Sequence, residues 1–351
     1  MKVIAFEEHY KLPAISQEHQ NEGLTSETDL LKQAGYGRAG AQGEWPPGID
    51  DLGDGRIAAM DQAGVDVQIL SHSVPGPETL DPSRAVELSK QANDAVADAI
   101  GKHPDRLRGF ATLPMRDPAG AAAELQRAVS EHGFVGALIN GHVNGRFLDD
   151  EFFWPVFESA ETLRVPIYLH PTVPPLSIID TYYGGFDPLV TARLSAAGMG
   201  WHIDTGIHCL RLILGGVFDR FPGLQIIVGH QFEALSWMAW RADYSFPTEQ
   251  TGLKRTVKEY LRENFYGGIL AGEFFNQEPG AVDPSWSLSF NAYLAMVNVI
   301  GIDRIVFTAD YPYGNMTAAR QFLDRLPINP EDREKIAHRN AERLLGLCTL
   351  S

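Results

Sequence analysis

The sequence predicts a closed (β/α)8 barrel. Eight short β-rich runs are each followed by a helical stretch, most of those runs are apolar nearly throughout, and polar residues gather where several of them end. Parallel strands covered on both faces read as continuous apolar runs rather than as alternating ones. A length of 351 residues suits eight strand–helix units with insertions. Alternation by itself is equally compatible with a doubly wound open sheet.

In chain order the strands are expected at 3–6, 65–70, 107–113, 135–139, 166–169, 224–228, 265–267 and 305–308. Amphipathic stretches between them predict helices at 55–63, 82–102, 118–132, 150–163, 207–221, 232–244 and 290–301, with closing helices at 316–326 and 330–347. Asp117-Pro118 has the form of an N-cap followed by N1, and Gly64, Gly133 and Gly301 each stop a periodic run. Segments 11–54, 171–204 and 269–288 break the alternation and read as loop insertions. In a barrel the first two emerge at the C-terminal face, where substrate contacts collect. No repeat, low-complexity tract or linker divides the chain, so residues 1–351 are expected to form one domain.

Hydrophobic residues make up 44% and charged residues 21%, the composition of a globular chain with an ample core. A net charge of −16 argues against nucleic acid as a partner, because polyanion binding needs surplus Lys and Arg. A small anionic substrate remains compatible, since one arginine holds a carboxylate. Cys209 and Cys348 match no metal or redox spacing, which makes a cytoplasmic location the expectation. The N-terminal apolar run is too short for a signal peptide, and no stretch is long enough to span a membrane.

Polar residues at the end of a core strand have no structural need to be there. Strand one ends in Glu7-Glu8-His9, strand five in His170, strand six in His230 and strand eight in Asp310. Side chains two apart on a strand share a face, so Glu7 and His9 point together and Glu8 points away. Closing the barrel sets strand eight beside strand one, bringing Asp310 to that pair, with His170 entering from across the mouth. Two carboxylates and two imidazoles meeting at one point call for a cation. Mixed N/O ligation of this kind suits one divalent ion, Mn²⁺ or Zn²⁺. Any one of these residues alone is more simply a hydrogen-bonded structural group; the four together favour the metal. His19, His103, His132 and His338 are expected at surfaces or helix ends.

The stretches Glu7-Glu8-His9, MDQAGVDVQILS (60–71), GALINGHVNG (136–145), PIYLHP (166–171), LRLILGGVFDRFP (210–222) and FTADYPY (307–313) carry a likeness. The sequence resembles the amidohydrolase superfamily, in its branch of non-oxidative aromatic acid decarboxylases. That branch includes γ-resorcylate and 2,3-dihydroxybenzoate decarboxylases, with aminocarboxymuconate semialdehyde decarboxylases more distant. Glu7 and His9 match its E-x-H, and His170 and Asp310 match the remaining ligands. The resemblance implies that His230 is a catalytic or substrate-contacting group oriented by Glu233, and that Asn140 hydrogen-bonds the substrate. It also implies that Tyr313 lines the pocket and that Arg241 reaches into a neighbouring subunit's site, so that the chain forms a homodimer or homotetramer. Phe232 stands where the family carries glycine.

The implied reaction is loss of CO₂ from a small aromatic acid with an ortho hydroxyl, with Asp310 protonating the ring carbon. Two other expectations stand beside it. One is a metal-dependent hydrolase or hydratase acting on a lactone or unsaturated acid, with His230 activating water. The other is a barrel without catalytic function.

Overall fold

A computed structural model describes residues 1–23, 26–34, 45–270 and 285–347. Its eight strands close into a barrel in sequential order. They are β1 (Ile4–Tyr10), β2 (Val67–His72), β3 (Leu107–Thr112), β4 (Gly136–Asn140), β5 (Ile167–His170), β6 (Ile226–Val228), β7 (Phe265–Ile269) and β8 (Ile305–Thr308). Every neighbouring pair is parallel, and β1 closes on β8 through Ala5↔Phe307 and Phe6↔Thr308. The doubly wound alternative is thereby excluded.

The two faces of each strand feed different cores. Phe6, Ile69, Phe110, Tyr168 and Ile227 fill the barrel's interior, whereas neighbours such as Ala5, Leu70 and Ala111 join the layer between sheet and helices. Burial on both sides explains the unbroken apolar runs.

The helices within the described residues begin with α1 (Pro13–Asn21), α2 (Ser26–Ala34), α3 (Asp54–Ala63), α4 (Pro82–Lys102), α5 (Pro118–His132) and α6 (Trp154–Leu163). They continue with α7 (Pro188–Ser195), α8 (Gly200–Leu214), α9 (Leu235–Ser245), α10 (Val257–Asn264), α11 (Ser285–Ile300) and α12 (Met316–Arg325). The chain closes through Pro330–Glu334, a π turn at Lys335–Arg339 and Asn340–Leu345. α4 and α5 match their expected limits, because Asp81 and Asp117 cap them ahead of Pro82 and Pro118.

Several boundaries differ from expectation. Segments 11–54 and 171–204 are not plain loops: they contain α1, α2 and α7, and α8 starts inside the second. The helix expected over 207–221 is interrupted: α8 ends at Leu214, Gly216 turns left-handed with φ 75°, and a short helical turn follows at Val217–Arg220. α10 was not anticipated, although Thr256 and Glu259 form a reciprocal capping box at its start. The helix expected from 232 starts at Leu235, because the residues before it adopt left-handed backbone. Residues 271–284 of the third insertion, and Cys348, lie outside the described residues. No described helix is long and apolar enough to cross a membrane.

Candidate active site

The C-terminal ends of β1, β5, β6 and β8 bring their polar residues together. β1 carries on past Phe6 through Glu7, Glu8, His9 and Tyr10, with a bulge between Ala5 and Glu8 where Glu7 has φ 63°. Glu7 is fully buried, and its Oε2 accepts a 2.5 Å hydrogen bond from the Tyr168 hydroxyl. Its Oε1 has no hydrogen-bond partner among the described residues. That oxygen lies 3.5 Å from His170 Nε2 and 3.5 Å from His230 Nε2. Gly229 leaves the room for this arrangement, since a Cβ there would fall 2.5 Å from the Tyr168 hydroxyl and 2.7 Å from Glu7 Oε2.

Glu7, His9 and His170 offer ligand atoms within 4.8 Å of one another. His170 Nδ1 donates to the Pro171 carbonyl at 2.8 Å, which leaves the Nε2 lone pair turned toward Glu7. Asp310 joins through His9, with Oδ1 3.2 Å from His9 Nε2. Glu8 points the other way, as strand parity demands. Its carboxylate accepts from Gln68 Nε2 at 2.7 Å and from the Ala309 amide at 3.0 Å, bracing β8 one residue before Asp310.

Burial first, and then the neighbouring Asp310 charge, push the Glu7 carboxyl up to about 8 against the pull of His230. Burial, reinforced by His9 and His230, holds His170 well below the usual imidazole range. At His230 burial acts downward, but the Glu7 and Glu233 carboxylates outweigh it and take the ring up to about 10. A buried carboxylate oxygen without a partner beside two imidazole nitrogens is a donor set suited to a cation.

His230, Gln231, Phe232 and Glu233 all have left-handed φ, from 50° to 69°. With Glu7 and Asp310 they make six of the eight non-glycine residues of positive φ among the described residues. Such conformations persist only where surroundings impose them, and they gather at functional sites. Here the Gln231 amide donates to the Gly268 carbonyl at 3.0 Å, and buried Phe232 packs edge-on to Phe265 at 6.0 Å. Phe232 thus belongs to the outer layer with its ring turned onto β7. The turn delivers Glu233 to His230, whose Nδ1 donates to Oε1 at 2.7 Å.

The other expected residues separate. Asn140 is level with His170 on the neighbouring strand; its Nδ2 donates to Glu78 at 3.0 Å and its Oδ1 has no partner among the described residues. Tyr313 lies edge-on to His9 at 5.6 Å, its hydroxyl bonded to Ser73 Oγ at 2.8 Å. Arg241 is not brought to this cluster by its own chain: it is exposed on α9, its guanidinium 5.1 Å from the Trp240 ring centre. His19 sits at the end of α1 but is buried, bonded to Thr79 Oγ1 at 3.1 Å.

Two contributors went unrecognised in the sequence. Tyr168 shares strand parity with His170 and was recoverable on that ground. His202, whose Nδ1 donates to Glu233 Oε2, comes from α8 in a segment read as loop and carried no signal.

Comparison with known proteins fits this geometry. The Amidohydrolase family model matches residues 41–347. The chain belongs to the amidohydrolase family. A γ-resorcylate decarboxylase from a Polaromonas species is 35% identical over 340 residues, covering 93% of this chain and 97% of that protein. The crystal structure of a dihydroxybenzoic acid decarboxylase from Polaromonas, with bound manganese and the inhibitor 2-nitroresorcinol, superposes with a TM-score of 0.79 at 32% identity, covering 99% of this chain and 97% of that one. A 5-carboxyvanillate decarboxylase from Novosphingobium aromaticivorans, complexed with manganese and a nitrobenzoic acid, gives a TM-score of 0.84 at 32% identity, covering 99% and 96%. As an amidohydrolase-family member, the chain shares its whole barrel with these proteins.

Proposed function

We propose that this protein is a metal-dependent carboxy-lyase that removes CO₂ from a small aromatic acid bearing an ortho hydroxyl. The observation that carries this is Glu7 Oε1, buried and without a hydrogen-bond partner among the described residues, facing the imidazoles of His170 and His230 in a chain that is 35% identical to a γ-resorcylate decarboxylase over 93% of its length. Glu7, His9, His170 and Asp310 would hold one divalent ion, Mn²⁺ or Zn²⁺. Bound there, it would supply a positive centre that orients the substrate and stabilises phenolate charge.

The chain's own groups do the rest. Asp310 delivers a proton to the ring carbon that bears the carboxylate; the carbon–carbon bond then breaks, its electron pair returns to the ring and CO₂ leaves. Glu233 fixes the His230 ring through Nδ1, so that Nε2 faces the reacting centre. Asn140 Oδ1, free of partners, accepts from a substrate hydroxyl. Tyr313 supplies an aromatic wall beside His9.

We read residues 1–351 as one functional domain and its assembly as a dimer or tetramer. Arg241 stands among exposed Trp237, Trp240 and Tyr244, an apolar face suited to a second copy whose site that arginine would complete. A cytoplasmic location is supported by buried, unpaired Cys209. The reading is tested by supplying ortho-hydroxybenzoates to manganese- or zinc-loaded protein and measuring CO₂. Release of CO₂ that stops on chelation is expected, whereas ester or lactone hydrolysis in its place would overturn it.

A further inference from the structure

His202 meets the site at Glu233, yet the reaction above gives it no task. It stands in the first turn of α8, the helix that begins within the insertion after β5. Its Nδ1 donates to Glu233 Oε2, while Glu233 Oε1 takes the Nδ1–H of His230 at 2.7 Å. Burial acts upward on the Glu233 carboxyl, but His230 and then His202 outweigh it and hold that group below its usual value. Both imidazoles are therefore donors, because a carboxylate only accepts. Their ring centres are 5.1 Å apart, and each ring takes its own oxygen of one fully buried carboxylate.

A neutral ring that donates through Nδ1 accepts through Nε2. The Trp201 indole nitrogen, which can only donate, reaches His202 Nε2 at 3.0 Å. The Ala197 carbonyl, 3.1 Å from the same nitrogen, takes the bond when the ring carries a second proton. The contact with Glu233 is common to both forms. Trp201 in turn lies edge-on to His170, with ring centres 6.3 Å apart, and His170 is 6.0 Å from His230. His202 thus closes a circuit of side chains around His170 that runs through His230, Glu233 and Trp201.

We propose that His202 is a positioning residue: by holding Glu233 Oε2 from α8 it fixes the carboxylate, and through it the plane of the His230 imidazole that faces the reacting centre. Glu233 ends a run of four left-handed residues and carries a flexible side chain. Held at one oxygen by His230 alone, its carboxylate could pivot about that bond. Held at the second oxygen by a ring on a different helix, it cannot, and the orientation of His230 is set from outside its own turn. No hydrogen bond or ion pair links His202 to Glu7, His9, His170 or Asp310 among the described residues, so the metal-binding cluster is not what it supports. With 27% of its side chain exposed, His202 can be exchanged without opening a core cavity. The kinetic arm of the test rests on the carboxy-lyase reading, and the spectroscopic arm does not.

Asparagine and glutamine separate the two ends of the ring. The Asn amide falls near the place of Nδ1 and keeps a donor for Glu233, whereas the Gln amide falls near Nε2 and keeps a partner for Trp201 instead. On metal-loaded protein, His202→Ala and His202→Gln should lower kcat/KM for an ortho-hydroxybenzoate by about 10- to 100-fold, the range for a lost orienting partner. His202→Asn should recover most of that loss, and Mn²⁺ affinity should stay at the wild-type value in all three. With histidine nitrogen isotopically labelled in zinc-loaded protein, the His230 Nδ1–H should give a slowly exchanging downfield proton signal, assigned by its loss in His230→Gln. That signal should persist in His202→Asn and broaden in His202→Ala and His202→Gln. A role in stability alone would lower the melting temperature and leave the signal in place. Equal losses in the Asn and Gln variants, wild-type turnover in His202→Ala, a fall in Mn²⁺ affinity that matches the loss of turnover, or a His230 signal indifferent to His202 overturns the proposal. If His202→Ala fails to fold, the Asn and Gln variants carry the comparison. Wild-type protein that releases no CO₂ from any ortho-hydroxybenzoate sinks the carboxy-lyase reading, while the proton signal still judges His202.

Discussion

Removing one oxygen atom, in Tyr168→Phe, isolates the support of Glu7, the proposed metal ligand. The Tyr168 hydroxyl is the only hydrogen-bond donor to the Glu7 carboxylate among the described residues, at 2.5 Å with both groups fully buried. Phenylalanine keeps the ring, and with it the packing on Phe110 at 6.1 Å, so the barrel core is left intact. A hydrogen bond to a charged group contributes about 1.5–3 kcal/mol net. If that stabilisation belongs to the metal-competent carboxylate, affinity should fall roughly 10- to 100-fold, as is usual when a ligand's supporting contact is lost. The loss should deepen at lower pH, because the tyrosine bond holds the Glu7 carboxyl down. Titration of stripped protein with Mn²⁺ or Zn²⁺ against a competing chelator reads the constant directly. An unchanged affinity, with the variant folded, would refute the assignment of Glu7 as a ligand oriented by Tyr168.

Other perturbations probe separate parts of the site. Asp310→Asn should abolish nearly all turnover while substrate binding to metal-loaded protein falls less; near-normal turnover with metal bound would remove Asp310 as the acid. Glu7 and His230 both bind protons more tightly in the folded protein, up to about 8 and about 10. Metal-stripped protein should therefore lose stability as pH rises, from the ordinary carboxyl value of 4.5 to about 8 through Glu7 and from 6.5 to about 10 through His230. Melting curves of wild type against Glu7→Gln isolate the Glu7 share, and parallel pH profiles would contradict it. Mixing Arg241→Ala subunits with Asp310→Asn subunits should restore part of the activity, since one site in a mixed dimer is complete. No recovery despite demonstrated subunit exchange would confine Arg241 to its own chain.

The barrel and the cluster at its mouth were legible because each rests on a short-range rule. Apolar runs mark strands buried twice over, and parity separates Glu7 and His9 from Glu8, which the Gln68 and Ala309 contacts bear out. Barrel closure then puts Asp310 beside His9. The remainder depends on tertiary context. Nothing local announces that His230 through Glu233 are left-handed, since three of the four are residue types that avoid that region in isolation. The neighbours Gly268 and Phe265 impose it. His202 and Glu78 reach the site from segments without periodicity, so only folded coordinates connect them to Glu233 and Asn140.

The brace between Glu8 and the Ala309 amide joins residues 301 positions apart, at the seam where the first strand meets the last. Glu7 and His9 lie on one side of that seam and Asp310 on the other. During synthesis most of the chain must therefore emerge before the cluster can be complete. Contacts of such sequence separation form late, because their loop entropy is recovered only when the ring shuts. With the proposed ligand set, capture of the ion would consequently certify a finished barrel. A truncated or half-folded chain holds the β1 residues and His170 without Asp310, and has no complete nest to offer a scarce cation.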